Sequence, residues 1–146
     1  MLVHVTSVAL KLGRKPWRAV LLRGPSGAGK SDLALRLIDR GARLVADDQT
    51  RLVRKGRALL ASAPAAIAGR MEVRGVGIVE LRRAQLIGRA PVALIVDLVA
   101  AGKVERLPEP GVELVEGLSL PVLALAPFET SAVAKLHLAL SRTANA

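Results

Sequence analysis

The densest chemistry in the sequence is Gly24-Pro25-Ser26-Gly27-Ala28-Gly29-Lys30-Ser31, a full match to G-x-x-x-x-G-K-[ST]. Each residue type has a physical task. Glycines let the backbone wrap so that several N–H groups point inward at phosphate oxygens. A helix starting at the end of the loop adds its partial positive charge. Lys30 reaches the outer phosphates as a point charge, and the Ser31 hydroxyl is the hard oxygen donor that Mg²⁺ prefers. A chance glycine turn before a helix would explain the loop alone. It would not explain an apolar strand at Trp17–Arg23, the loop, Lys-Ser and an amphipathic helix at Ser31–Arg40 in register.

Asp47 and Asp48 follow at the end of the short apolar run Leu44-Val45-Ala46. A strand returning from the loop helix in parallel fashion is expected beside the first strand, with its carboxyl end near the phosphates. Two adjacent carboxylates there need a cation or a proton to offset them. One can face Mg²⁺, directly or through water; the other can orient and deprotonate an attacking hydroxyl. A plain Asp-rich turn is the alternative, and Asp97, ending the strand-like Val92–Val96, is the rival carboxylate.

A third group is Met71-Glu72-Val73-Arg74-Gly75-Val76-Gly77-Ile78-Val79-Glu80. Glu72 and Arg74 alternate with apolar residues, so in a strand they share one face, while Gly75 and Gly77 allow close backbone approach. By itself this segment also reads as a Glu–Arg pair on an exposed strand face.

The elements that must position these groups make a sheet-rich, mixed α/β domain rather than a doubly wound one. Strands are expected at Val3–Leu12, Trp17–Arg23, Leu44–Ala46, Leu52–Val53, Ala58–Leu60, Val92–Val96, Val112–Leu114 and Leu120–Leu125. A final helix is expected after Thr130 or Ser131 as cap, with Val133, Leu136 and Leu140 on one stripe. Residues 1–146 read as one domain with no repeat and no linker. Of the 146 residues, 51% are hydrophobic and 23% charged, which excludes bulk disorder. Cysteine is absent, which excludes disulfides and a thiol nucleophile, and the two histidines are too few for a three-histidine metal site. The longest apolar stretches fall well short of the ~20 residues of a spanning helix, so no membrane role is expected, and an intracellular setting is the natural reading because nothing in the sequence needs an oxidising compartment. The net charge of +10 is uneven. Residues 1–57 hold 13 Lys and Arg against 4 Asp, which suggests an anionic partner near the first half.

Taken in order, Gly24–Ser31, Arg40-Gly41, Arg43–Asp48 and Met71–Val79 resemble the HPr kinase/phosphorylase family, specifically its C-terminal catalytic domain, over roughly residues 4–140. The resemblance implies a P-loop kinase fold akin to phosphoenolpyruvate carboxykinases. It implies ATP- and Mg²⁺-dependent phosphorylation of a serine of HPr, the small phosphocarrier of the bacterial sugar phosphotransferase system, in the cytoplasm. Many members also run the reverse reaction with inorganic phosphate, and a homo-oligomer is implied. By the same resemblance Gly24, Pro25, Ser26, Gly27, Ala28, Gly29, Lys30 and Ser31 bind ATP, and Lys30 also stabilises the transferred phosphoryl. Ser31 and Glu72 are the magnesium ligands. Asp48 is the base that accepts the serine proton. His4 matches a histidine preceding the first strand, and Arg106 in Val104-Glu105-Arg106-Leu107 matches an arginine that neutralises transition-state charge. The chain starts directly at the kinase domain and is similar to the short form seen in α-proteobacteria. Where the family carries a basic, Gly-containing run, this sequence has Ala126-Pro127-Phe128-Glu129-Thr130-Ser131, with neither Arg nor Gly.

Two readings of other classes compete. One is a small-molecule kinase or plain ATPase, which the absence of a separate Arg-rich lid segment disfavours. The other is a nucleotide-responsive binding module, with nucleic acid as its partner. Base stacking needs aromatics, and Trp17 and Phe128 are the only two.

Overall fold

The computed structural model describes residues 1–143. Its frame is one nine-stranded mixed sheet plus a two-stranded hairpin. The sheet strands are β1 (Leu2–Val3), β2 (Thr6–Leu10), β3 (Arg18–Arg23), β4 (Arg43–Ala46), β5 (Thr50–Lys55), β6 (Ala58–Ser62), β9 (Arg89–Leu98), β10 (Gly111–Val115) and β11 (Leu118–Leu125). The hairpin is β7 (Arg70–Val73) with β8 (Gly77–Glu80). Helix α1 spans Lys30–Asp39 and α2 spans Ala132–Ser141.

The ten-residue β9 organises the sheet. Its first residues pair antiparallel with β6, and its last pair parallel with both β3 and β11. Parallel β3, β9 and β11 therefore end at the same edge, where the loop before α1 begins, and β3 and β9 are the buried strands of the three. Alternation along each strand splits the core in two. Val20, Leu22, Leu94 and Val96 join Leu33, Leu37, Leu136 and Leu140 under the helices. Ala19, Leu21 and Ile95 face Leu52, Leu59 and Leu120 on the other side. Trp17 packs against this second cluster and carries the Arg43 guanidinium 4.6 Å from its ring centroid.

Four sequence expectations need correcting. β4 does not lie beside β3, because β2 sits between them and pairs antiparallel with both. β2 and β3 are joined by a short turn, so local pairing takes that edge of β3 before α1 can return a strand to it. β4 nonetheless runs in the same direction as β3 and delivers Asp47 to the same end of the sheet. The expected strand Val3–Leu12 is broken around His4, and β1 pairs with β5 instead of continuing into β2. Arg74 is not on a strand with Glu72: it begins the turn between β7 and β8. Ser131 stands at the N-cap of α2, but no side chain caps that helix.

Candidate functional site

The loop Gly24–Gly29 leaves the buried end of β3 and enters α1. Gly29 occupies the N-cap at φ +103°, a left-handed conformation that glycine adopts without strain. No side chain caps α1, so the first-turn N–H groups face outward, the arrangement that receives an anion. The Ala28 N–H donates to Pro25 O at 3.0 Å, and the Lys30 ammonium donates to Gly24 O at 2.6 Å, drawing the loop into a ring.

Asp47 is the centre of the site. It is 8% exposed, yet it accepts from three donors on three elements. Ser31 Oγ donates to its Oδ1 at 2.8 Å and Thr6 Oγ1 at 3.2 Å. The Glu72 backbone N–H donates to its Oδ2 at 2.9 Å, fixing the β7–β8 hairpin over the loop. Hydrogen bonds to a charged group are worth about 1.5–3 kcal/mol each, which is how a carboxylate survives burial here. Asp48 follows with φ 65°, a strained region for a residue with a side chain, though Asp tolerates it better than most. Its N–H is held by Thr6 Oγ1 at 3.1 Å, and its exposed carboxylate turns outward into the cleft. Thr6 thus positions both aspartates. Nothing in the sequence marks it, because its partners lie more than forty residues away.

These groups line one open cleft of about 940 Å³. Ser26, Gly27, Gly29, Lys30 and Ser31 form its floor, Asp47 and Asp48 one flank, and Glu72 with Arg74–Ile78 the overhang. Phe128 stands at the far flank. His4 and Arg106 are both exposed and are not among the cleft-lining residues. His4 lies two residues before Thr6, whereas Arg106 sits in the segment between β9 and β10. The basic surplus of residues 1–57 is likewise not gathered here: Lys30 is the one Lys or Arg of that stretch in the cleft lining.

Asp97, the rival carboxylate, belongs elsewhere. It has the parity of Ile95, which puts it on the sheet face opposite α1. There Arg23 Nε donates to its Oδ1 at 2.6 Å and Arg23 Nη2 to its Oδ2 at 3.1 Å. The same guanidinium donates to both Glu113 oxygens, at 2.7 and 2.9 Å. The hydrogen bonds to Asp97 and then Glu113 raise the Arg23 pKa further above its ordinary value, and Arg23 holds Glu113 below its own.

A family model described as the HPr Serine kinase C-terminal domain matches residues 18–113. The chain belongs to that family. An HPr kinase/phosphorylase from Chlorobaculum tepidum is 39% identical over 119 residues, covering 75% of this chain and 35% of that protein. One from Peptoclostridium acidaminophilum is 43% identical over 82 residues, covering 56% and 27%. Among solved structures, the Hpr(Ser) kinase/phosphatase from Coxiella burnetii superposes with a TM-score of 0.82 at 25% identity, over 97% of this chain and 88% of that one. The chain spans about a third or less of the length of the curated relatives it matches. The expected mixed α/β, P-loop kinase-like fold is therefore the observed one. The matched residues include the loop, both aspartates and the β7–β8 hairpin of the HPr kinase domain.

The donor set suits magnesium. Ser31 Oγ, Asp47 and the cleft-facing Asp48 and Glu72 are all hard oxygens. Among the described residues no three carboxylates or histidines converge into an all-protein metal cage. Mg²⁺ is usually held by one or two carboxylates together with substrate phosphates and water, so such a cage is not required.

Proposed function

We propose that this chain is an ATP- and Mg²⁺-dependent protein kinase that phosphorylates a serine of HPr or an HPr-like phosphocarrier. The observation that carries the reading is the contact of Ser31 with Asp47 at the mouth of the Gly24–Ser31 loop, with Asp48 beside it facing the open cleft. Family membership supports the choice of acceptor.

The chemistry follows from the placement. Loop N–H groups and the α1 N-terminus receive the phosphates, and Lys30 exchanges the Gly24 carbonyl for phosphate oxygens, offsetting charge as the terminal phosphoryl moves. Magnesium would be held by Ser31 and Asp47, with Glu72 as the further ligand; when bound it neutralises phosphate charge and aligns the terminal group. The acceptor serine enters from the open side. Asp48 takes the hydroxyl proton as its oxygen bonds to the terminal phosphorus, and the bond to the ADP oxygen breaks. Holding the two oxygens in line is the larger part of the task, because phosphoryl transfer asks little covalent chemistry of the protein. His4 and Arg106 keep only supporting roles here: His4 beside the Thr6 anchor, Arg106 on a loop that would have to swing to reach the cleft.

No helix among the described residues is long and apolar enough to cross a membrane. The proposal includes a cytoplasmic setting and a homo-oligomer, the latter read out by light scattering. The deciding test is to incubate the purified chain with Mg-ATP and purified HPr and locate the modified residue by mass spectrometry. A phosphoserine on HPr is expected. Label appearing only on metabolites would overturn the acceptor in favour of a small-molecule kinase.

A further inference from the structure

Phe128 is the aromatic whose position the phosphate chemistry leaves unexplained. It is 70% exposed, although exposing a large apolar ring is unfavourable, and it lines the same cleft as the Gly24–Ser31 loop. The chain's other aromatic, Trp17, is already committed to the second core cluster and to Arg43. Phe128 lies against the loop itself: a Cβ placed on Gly29 would sit 2.9 Å from Phe128 Cζ.

Its place in the topology gives the ring a direction. The strand order runs β4-β2-β3-β9, with β11 on the far side of β9. The acidic groups Asp47 and Asp48 follow β4, on one side of the loop. Phe128 follows β11, on the other. A triphosphate in the loop with its terminal group at Asp47 and Asp48 therefore sends its nucleoside toward β11. The segment that carries Phe128 is also fixed in place. Arg36 Nη2 donates to Pro127 O from α1, and Glu129 is bound by Lys135 of α2 at 3.0 Å.

Resting on the kinase reading above, we propose that Phe128 is the platform on which the base of the bound nucleotide stacks. An aromatic ring that stands open beside a phosphate loop, on a segment tethered at both neighbouring residues, offers a π-face at little ordering cost. Stacking is tolerant of base identity, so the platform adds affinity without selecting adenine by hydrogen bonds.

The test compares Mg-ATP with inorganic tripolyphosphate, which has the phosphates and no base, by isothermal calorimetry. Phe128→Leu keeps an apolar contact with Gly29 but removes the π-face. Its expected effect is about tenfold weaker ATP binding with tripolyphosphate unchanged. Phe128→Trp is expected to keep ATP affinity and to show indole quenching with ATP but not with tripolyphosphate. ATP binding to Phe128→Leu equal to wild type would overturn the platform, and so would equal loss of both ligands, which would make the ring a loop prop. Those outcomes leave the kinase reading standing. Failure of the wild-type chain to bind either ligand would sink both.

Discussion

Ser31 Oγ and Asp47 Oδ1 meet at 2.8 Å, joining the first turn of α1 to the residue that follows β4. Asp47 takes hydrogen bonds from two hydroxyls at Oδ1 and one N–H at Oδ2. In Asp47→Asn the hydroxyls of Ser31 and Thr6 can reverse and accept from the new amide, so the fold is retained while the charge is lost. The magnesium concentration giving half-maximal transfer should then rise about 10–100-fold, with melting nearly unchanged. Transfer rate against magnesium at saturating ATP measures this. An unaltered magnesium curve would remove Asp47 from the metal site.

Asp48 is the base of the proposed mechanism. Asn shares its tolerance of left-handed φ, so Asp48→Asn should keep the backbone at φ 65°. Without a proton acceptor the rate of phosphoserine formation should fall about 10²–10⁴-fold. Calorimetric Mg-ATP affinity should stay within a few-fold of wild type. Full activity in this variant would assign the base elsewhere.

The contrast between these aspartates shows what the sequence made legible. Gly24–Ser31 could be read directly because its chemistry is local: eight consecutive residues, with a strand before and a helix after. Asp47-Asp48 was legible as a pair and the family resemblance singled out Asp48 as the base, but the difference in their burial was not legible, since Thr6 from another strand holds Asp47 inside and the Asp48 N–H beside it. Asp97 was the rival along the chain, ending an apolar strand of its own. Strand parity and the Arg23 guanidinium, both three-dimensional facts, take it to the other face. The segment over the cleft was visible as composition, with Gly75 and Gly77, but it was read as one strand face, and the turn beginning at Arg74 was not foreseen because alternation alone does not locate a turn. Phe128 gave no signal as a site residue: only the fold brings its ring to Gly29.

Arg23 ties the end of β3 to β9 and β10 immediately before the loop. Arg23→Met should leave Asp97 and Glu113 without their cation and cost about 1–3 kcal/mol by urea denaturation. The acid limb should change as well. Glu113 is held below its ordinary value by Arg23, so its contribution is present above the unfolded pKa of 4.5 and is lost as pH falls through the lower folded value. Wild type should therefore lose stability on acidification below 4.5 more steeply than Arg23→Met. Parallel curves would show that the network contributes nothing.

Gly29→Ala tests the loop twice over. The new Cβ would meet the Phe128 ring at 2.9 Å and would also require a non-glycine residue at φ +103°. Strain of this kind costs about 1–3 kcal/mol, and the loop should relax away from its phosphate-binding shape, with a large loss of Mg-ATP affinity. Adding Phe128→Ala removes the ring clash but not the φ penalty, so stability should recover only in part. Complete recovery would show that the left-handed backbone matters little; no recovery would show that the ring contact does not count.

Last, α2 carries a titrating group remote from the cleft. His137 is partly buried, and burial, aided by the positive charge of Arg40, holds its pKa below 6.5. The neutral form is therefore preferred in the folded state. The unfolded chain takes up a proton first as pH falls, so the His137 contribution is intact above about 6.5 and is lost as pH falls through the depressed folded value. Because the side chain is largely solvated, the effect should be small, a drop in melting temperature of about 1–3 °C between pH 7.5 and 5.5. His137→Leu should abolish that dip while leaving Mg-ATP affinity untouched, since His137 is not among the residues lining the cleft. A dip of equal size in the variant would assign the titration to another group.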